Sequence, residues 1–261
     1  MFKAKDQAVM NMYTKGVFGR SRMISIVVWA VLYGLSYSLA QLVFPAAVPY
    51  AVLSCAVLLL VWLGYRQRLR ALRISRPVLN GPAGIMSPAL LRILASLLIL
   101  PAANLMSGGS FASGSTAVLM LGTVFVEEVF FRGVLLAKPG TFESPFLASI
   151  TEQPDYKKAL LSSGLFAGFH VVNAIGGEAW LQIGPQMVCA FCAGMLFAAV
   201  TLRTDSLLPA AAGHFLVNIT AAEENAFTLP AAFGCMLCLA AGILLLAASS
   251  IQKGKTHEAI H

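Results

Sequence analysis

Charged residues are scarce in this chain. Asp, Glu, Lys and Arg make up 11% of its 261 residues, against about 25% in a typical soluble domain, while 58% of its residues are hydrophobic. So small a polar stock cannot cover a water-facing surface, which excludes an ordinary soluble enzyme, a disordered chain and a coiled coil. The alternation of apolar and polar residues that a membrane β-barrel needs is also missing, since the apolar runs are continuous. Cysteines number five, Cys55, Cys189, Cys192, Cys235 and Cys238, all inside apolar runs, so they supply no disulfide framework. Cys189-Ala190-Phe191-Cys192 and Cys235-Met236-Leu237-Cys238 are two CxxC pairs. Lacking polar flanks and turn glycines, they read as small polarizable packing residues rather than a zinc site. The remaining class is an all-α, polytopic transmembrane helical bundle.

A spanning helix needs roughly 20 mainly apolar residues. Eight stretches qualify, near 23–44, 47–65, 88–106, 115–137, 159–176, 179–202, 206–222 and 228–251, the seventh being short. The net charge of +7 fits their topology better than nucleic-acid binding. Lys3, Lys5, Lys15, Arg20 and Arg22 precede the first span, and Arg66, Arg68, Arg70, Arg73 and Arg76 follow the second. Lys138, Lys157 and Lys158 follow the fourth, Arg203 the sixth, and Lys253 and Lys255 the eighth. The other four connections hold no Lys or Arg, and only Arg92 and Arg132 fall within spans. Sixteen of eighteen basic residues thus share one side, which places both termini in the cytoplasm. Ser38-Leu39-Ala40 resembles a small-residue cleavage site, but the long apolar stretch behind 22 polar-rich residues favours an uncleaved anchor. The expected organisation is a cytoplasmic segment 1–22, one membrane domain 23–251 and a cytoplasmic tail 252–261.

Ionisable side chains at the bilayer centre cost about 2.5–3.5 kcal/mol each on insertion scales, so a span that keeps them is a candidate functional element. The fourth span contains Glu127, Glu128 and Arg132, the fifth His170, and the seventh His214 and Asn218. Glu128 and Arg132, like His214 and Asn218, are four apart and share a helix face. Glu127 is turned about 100° from Glu128 and points elsewhere. Phe166 precedes His170 by one turn on the same face. Taken singly, each has a structural reading: an ion pair for Glu128–Arg132, interhelical hydrogen bonding for either histidine or for Asn218, and snorkelling for Arg92. The set of two glutamates, two histidines and one asparagine on three spans points instead to a site. At about 1.5 Å per residue, Glu127 lies near mid-membrane and the histidines towards the outer half. Glu223-Glu224-Asn225, beyond the seventh span, reads as a solvated boundary.

These residues resemble the three motifs of the CAAX-protease and bacteriocin-processing family of intramembrane endopeptidases, also called the Abi family. EExxxR is matched by Glu127-Glu128-Val129-Phe130-Phe131-Arg132, FxxxH by Phe166-Ala167-Gly168-Phe169-His170, and HxxxN by His214-Phe215-Leu216-Val217-Asn218. Ser206-Leu207-Leu208-Pro209-Ala210 is similar to the family's approach to the third motif, and the motif core spans 115–222. The resemblance implies hydrolysis of a peptide bond in a membrane-associated or lipidated protein or peptide. It implies that Glu127 and His170 hold the attacking water, His214 and Asn218 the oxyanion, and that Glu128, Arg132 and Phe166 support them.

The residues alone are compatible with that chemistry. A positioned carboxylate can act as general base, and hydrogen-bond donors can hold an oxyanion. Neither an HExxH helix nor a serine beside a recognisable base occurs. No cofactor is required on this reading, although Glu127, His170 and His214 would also make a ligand set for zinc with one open position. The expected partners are the lipid bilayer and a membrane-associated substrate, with no nucleic acid, and the expected location is a bacterial inner membrane. Two other functions fit buried Glu and His: a proton-coupled transporter and a non-catalytic immunity or partner protein. No inverted repeat supports the transporter.

Overall fold

The computed structural model describes residues 70, 72–74, 88–112, 114–142, 145–174, 178–220 and 228–258, and those residues form helices without strands. In chain order they are α1 (Pro88–Leu97), α2 (Ile99–Met106), α3 (Gly114–Glu128), a π-helical turn (Val129–Val134), α4 (Pro145–Thr151), α5 (Asp155–Phe169), a 3₁₀ turn (His170–Ala174), α6 (Trp180–Thr204), α7 (Leu208–Ile219) and α8 (Leu229–Glu258). The stretches near 23–44 and 47–65 lie outside the described residues. Two of the described helices, α6 and the Leu229–Ala248 part of α8, are long and apolar enough to cross a membrane, and shorter apolar helices cover Leu91–Met106 and Leu208–Ile219.

Proline explains one departure from the expected spans. The stretch 88–106 is a single run in sequence, yet α1 ends at Leu97 and α2 starts at Ile99. Pro101 has no N–H to give the carbonyl four residues back, at Leu97, so the helical ladder is interrupted there. Prolines that open helices do no such damage: Pro88, Pro145, Pro209 and Pro230 all sit in the first turn, where the N–H would lack an intrahelical partner anyway. The short α4 in the 138–158 connection had no sequence signal beyond Pro145.

α6 is the central element. It packs on α5, α7 and α8, while α3 packs on α7 and α2 on α8. The main core joins Ile93, Leu97 and Leu100 to Leu196, Phe197, Val200 and Ala210. α8 leaves Phe233, Met236, Leu237, Ile243 and Leu244 exposed, a stripe that lipid would cover. Contacts advance together along α6 and α8: Cys189 meets Cys235, and a Cβ on Gly242 would lie 2.9 Å from the Met195 carbonyl carbon. The two helices therefore run parallel. α3 and α7 run antiparallel, with Ala112 N–H bonded to the Ile219 carbonyl (2.8 Å) at one end and Val124 and Val129 against Leu207 and Ala211 at the other.

The ends of the bundle match the charge segregation. At one end, Asp205 pairs with Arg73 and, at 2.6 Å, with Lys138. These residues belong to three connections expected on the same side, and Arg73 also donates from Nε to the Leu136 carbonyl (2.7 Å). Burial holds the Arg73 guanidinium below its ordinary value, and Asp205 and Asp155 pull it back up. Asp205 ends α6 in the left-handed region at φ +52°, where glycine is the usual residue, so its carboxylate is kept against a backbone preference. At the other end, residues beside two of the connections without Lys or Arg meet: Ser107 and Thr228 share a hydrogen bond of 2.5 Å, and Gly109 lies so close to the Thr220 carbonyl that a Cβ would not fit.

Candidate active site

The change of helical pitch sits on the first motif. α3 is α-helical through Glu128 and becomes π-helical from Val129 to Val134, so the turn containing Arg132 is wider than the sequence spacing implies. A π turn loosens its backbone ladder, and here a neighbour supplies a donor: Ser162 of α5 gives its hydroxyl hydrogen to the Phe131 carbonyl (2.8 Å). Gly133 lets the Leu72 carbonyl approach, since a Cβ there would lie 3.3 Å from it.

Glu128 and Arg132 have no exposed side-chain surface and pair directly, with Arg132 Nη1 donating to Glu128 Oε1 at 2.9 Å. His214 Nδ1 approaches the same oxygen, also at 2.9 Å. A carboxylate can only accept, so Nδ1 carries the proton and Nε2 is the ring nitrogen left for chemistry. That Nε2 faces Glu127 Oε2 at 3.6 Å, beyond direct hydrogen bonding and within reach of a shared water. Glu127 keeps 16% of its side-chain surface exposed. Of the two adjacent carboxylates, Glu127 is the one a ligand can reach.

The phenylalanine of the second motif joins the three motifs. The Phe166 ring lies 4.3 Å from the Arg132 guanidinium carbon, 5.0 Å from the His170 ring and 5.3 Å from the His214 ring. The guanidinium over an aromatic face is a cation–π contact, favourable where water is excluded. Phe197 of α6 stacks on His214 at 5.4 Å. Gly194, one turn earlier, makes room: a Cβ there would lie 3.1 Å from Ser163 Cβ and 3.3 Å from Arg132 Nη2. His170 ends α5 and opens the 3₁₀ turn, and its Nδ1 bonds to the Phe166 carbonyl at 2.9 Å, which again leaves Nε2 outward.

Glu127, Glu128, Arg132, Phe166 and His214 thus form one contiguous cluster, and His170 joins it through Phe166. Among the described residues no hydrogen bond or ion pair connects His170 to Glu127 directly. Asn218 lies one turn beyond His214 on α7, half-buried, and its carboxamide makes no hydrogen bond among the described residues. No group of three or more His, Cys, Asp or Glu among those residues is placed to hold a metal ion, so Glu127, His170 and His214 do not form a ligand set in this geometry. Ser162, Gly194 and Phe197 have no motif spacing to reveal them.

Residues 109–220 match the family model described as type II CAAX prenyl endopeptidase Rce1-like. That segment is similar to an Rce1-like domain. It covers α3 through α7, includes all three motifs and is consistent with the CAAX-protease and bacteriocin-processing family. An Rce1-like domain is membrane-embedded and belongs to a family of proteases, in keeping with the apolar helices around it. No curated protein and no solved structure matches the chain.

Proposed function

We propose that this chain is an intramembrane endopeptidase that cleaves a membrane-associated peptide or protein, lipidated substrates included, by attack of a water activated by Glu127. The observation that carries the proposal is the pair of His214 contacts, Nδ1 on buried Glu128 and Nε2 towards the more accessible Glu127. Glu127 takes a proton from water as the water attacks the scissile carbonyl. His170, with Nδ1 fixed on the Phe166 carbonyl, presents Nε2 to the same water and relays the proton to the leaving amine. His214 and the Asn218 carboxamide donate to the oxyanion. For His214 this requires the imidazolium, because Nδ1 is committed to Glu128 and only Nε2 can face the substrate. Arg132 holds Glu128 in place, and Phe166 keeps water from the ion pair. No step in this proposal runs through a metal. The eight-span topology with both termini in the cytoplasm of a bacterial inner membrane belongs to the same proposal.

Glu127→Gln separates the readings. A protease loses cleavage while its melting curve is retained. A transporter loses ion-coupled flux instead, and a non-catalytic partner keeps its cellular phenotype. Retained cleavage by the folded variant overturns the proposal.

A further inference from the structure

The two CxxC pairs face each other across the α6/α8 seam. A spacing of three puts both thiols of a pair on one helix face. Cys192, Cys235 and Cys238 are buried in the same core cluster, with Cys189 packed against it and partly exposed. Cys189 Sγ and Cys235 Sγ are 2.6 Å apart, about half an ångström beyond the covalent sulfur–sulfur length of ~2.05 Å. The helices that carry them are held at close range by a small residue. A Cβ on Gly242 would lie 3.0 Å from the Leu196 nitrogen and 2.9 Å from the Met195 carbonyl carbon.

We infer that Cys189 and Cys235 are an oxidation site that forms an interhelical disulfide, with a hydroperoxide as oxidant. Hydrogen peroxide is small and uncharged, and it reaches Cys189 first because that thiol is the accessible one. Cys189 sulfur bonds to one peroxide oxygen, the O–O bond breaks, and one water leaves with the proton of that thiol. Cys235 sulfur then attacks the sulfenic sulfur, the S–O bond breaks, and a second water carries off the remaining proton. Two thiols and one peroxide become one disulfide and two waters. The link ties α8 to the helix that presents Phe197 to His214, eight residues or about 12 Å further along α6. It therefore fixes one wall of the site covalently.

The test uses the full chain in its membrane, treated with hydrogen peroxide, alkylated with N-ethylmaleimide and digested without reduction. The expected result is a fall from five alkylated cysteines to three and a linked peptide joining Cys189 to Cys235. A reductant should reverse both. The Cys192→Ser/Cys238→Ser variant should still form the link, and Cys235→Ser should not. Pairing through Cys55, Cys192 or Cys238, a link between two chains, or five alkylated thiols after peroxide treatment overturns the inference. The readout is mass, so it is independent of whether the protein cleaves peptides.

Discussion

Replacing Arg132 by Met leaves Glu128 as a carboxylate with no exposed surface and only the His214 Nδ1 proton to face. Removing one partner of a buried ion pair costs about 3–5 kcal/mol, because the other charge stays buried without compensation. The guanidinium also lies 4.3 Å from the Phe166 ring, a contact that contributes up to about 2 kcal/mol where water is excluded. Glu128→Gln leaves Arg132 in the equivalent position and has a cost of the same order. In the double variant neither charge remains, so its destabilisation should fall short of the sum of the single effects by about 2–3 kcal/mol. The assay is reversible unfolding of the four proteins in mixed micelles, read as a double-mutant cycle. Single variants within about 0.5 kcal/mol of the parent, or effects that add to within that margin, would show that the pair carries no buried charge and refute the reasoning.

Asn218→Ala should lower the cleavage rate by about 10²–10³-fold without changing the melting temperature, since its carboxamide has no structural partner among the described residues; steady-state kinetics on a peptide substrate checks this. Gly242→Val forces backbone apart at the α6/α8 seam, where even a Cβ meets the Met195 carbonyl carbon at 2.9 Å, and should cost about 1–3 kcal/mol in thermal unfolding. Asp205→Ala removes the carboxylate from Arg73 and Lys138, whereas Asp205→Gly does so while relieving φ +52°. The glycine variant should therefore be more stable than the alanine variant by about 1 kcal/mol, and the reverse order would contradict a backbone cost at φ +52°.

The helical class and the positions of most described helices were legible because they rest on long apolar runs, a signal that sums over many residues. The charged residues were equally legible, because bilayer cost makes each one conspicuous. The break at Leu98 was present in the sequence as Pro101, but apolar continuity outweighed it. The π turn was not legible: Glu128 and Arg132 have the spacing of an ordinary helical pair, and only the Ser162 hydroxyl on the Phe131 carbonyl shows that the pitch has changed. Phe197 and Gly194 were hidden for a related reason. Each is one apolar or small residue in a buried helix, and its role comes from contacts with helices distant in sequence. The facing CxxC pairs read as packing residues because single-helix spacing says nothing about which helix lies opposite.

The central claim is that Glu127 directs water at a peptide bond within the membrane, and the most direct measurement compares the protein termini in membranes carrying the parent chain or Glu127→Gln at equal abundance. The account predicts a set of new termini that appears only with the parent chain. Identical termini in both membranes would contradict it.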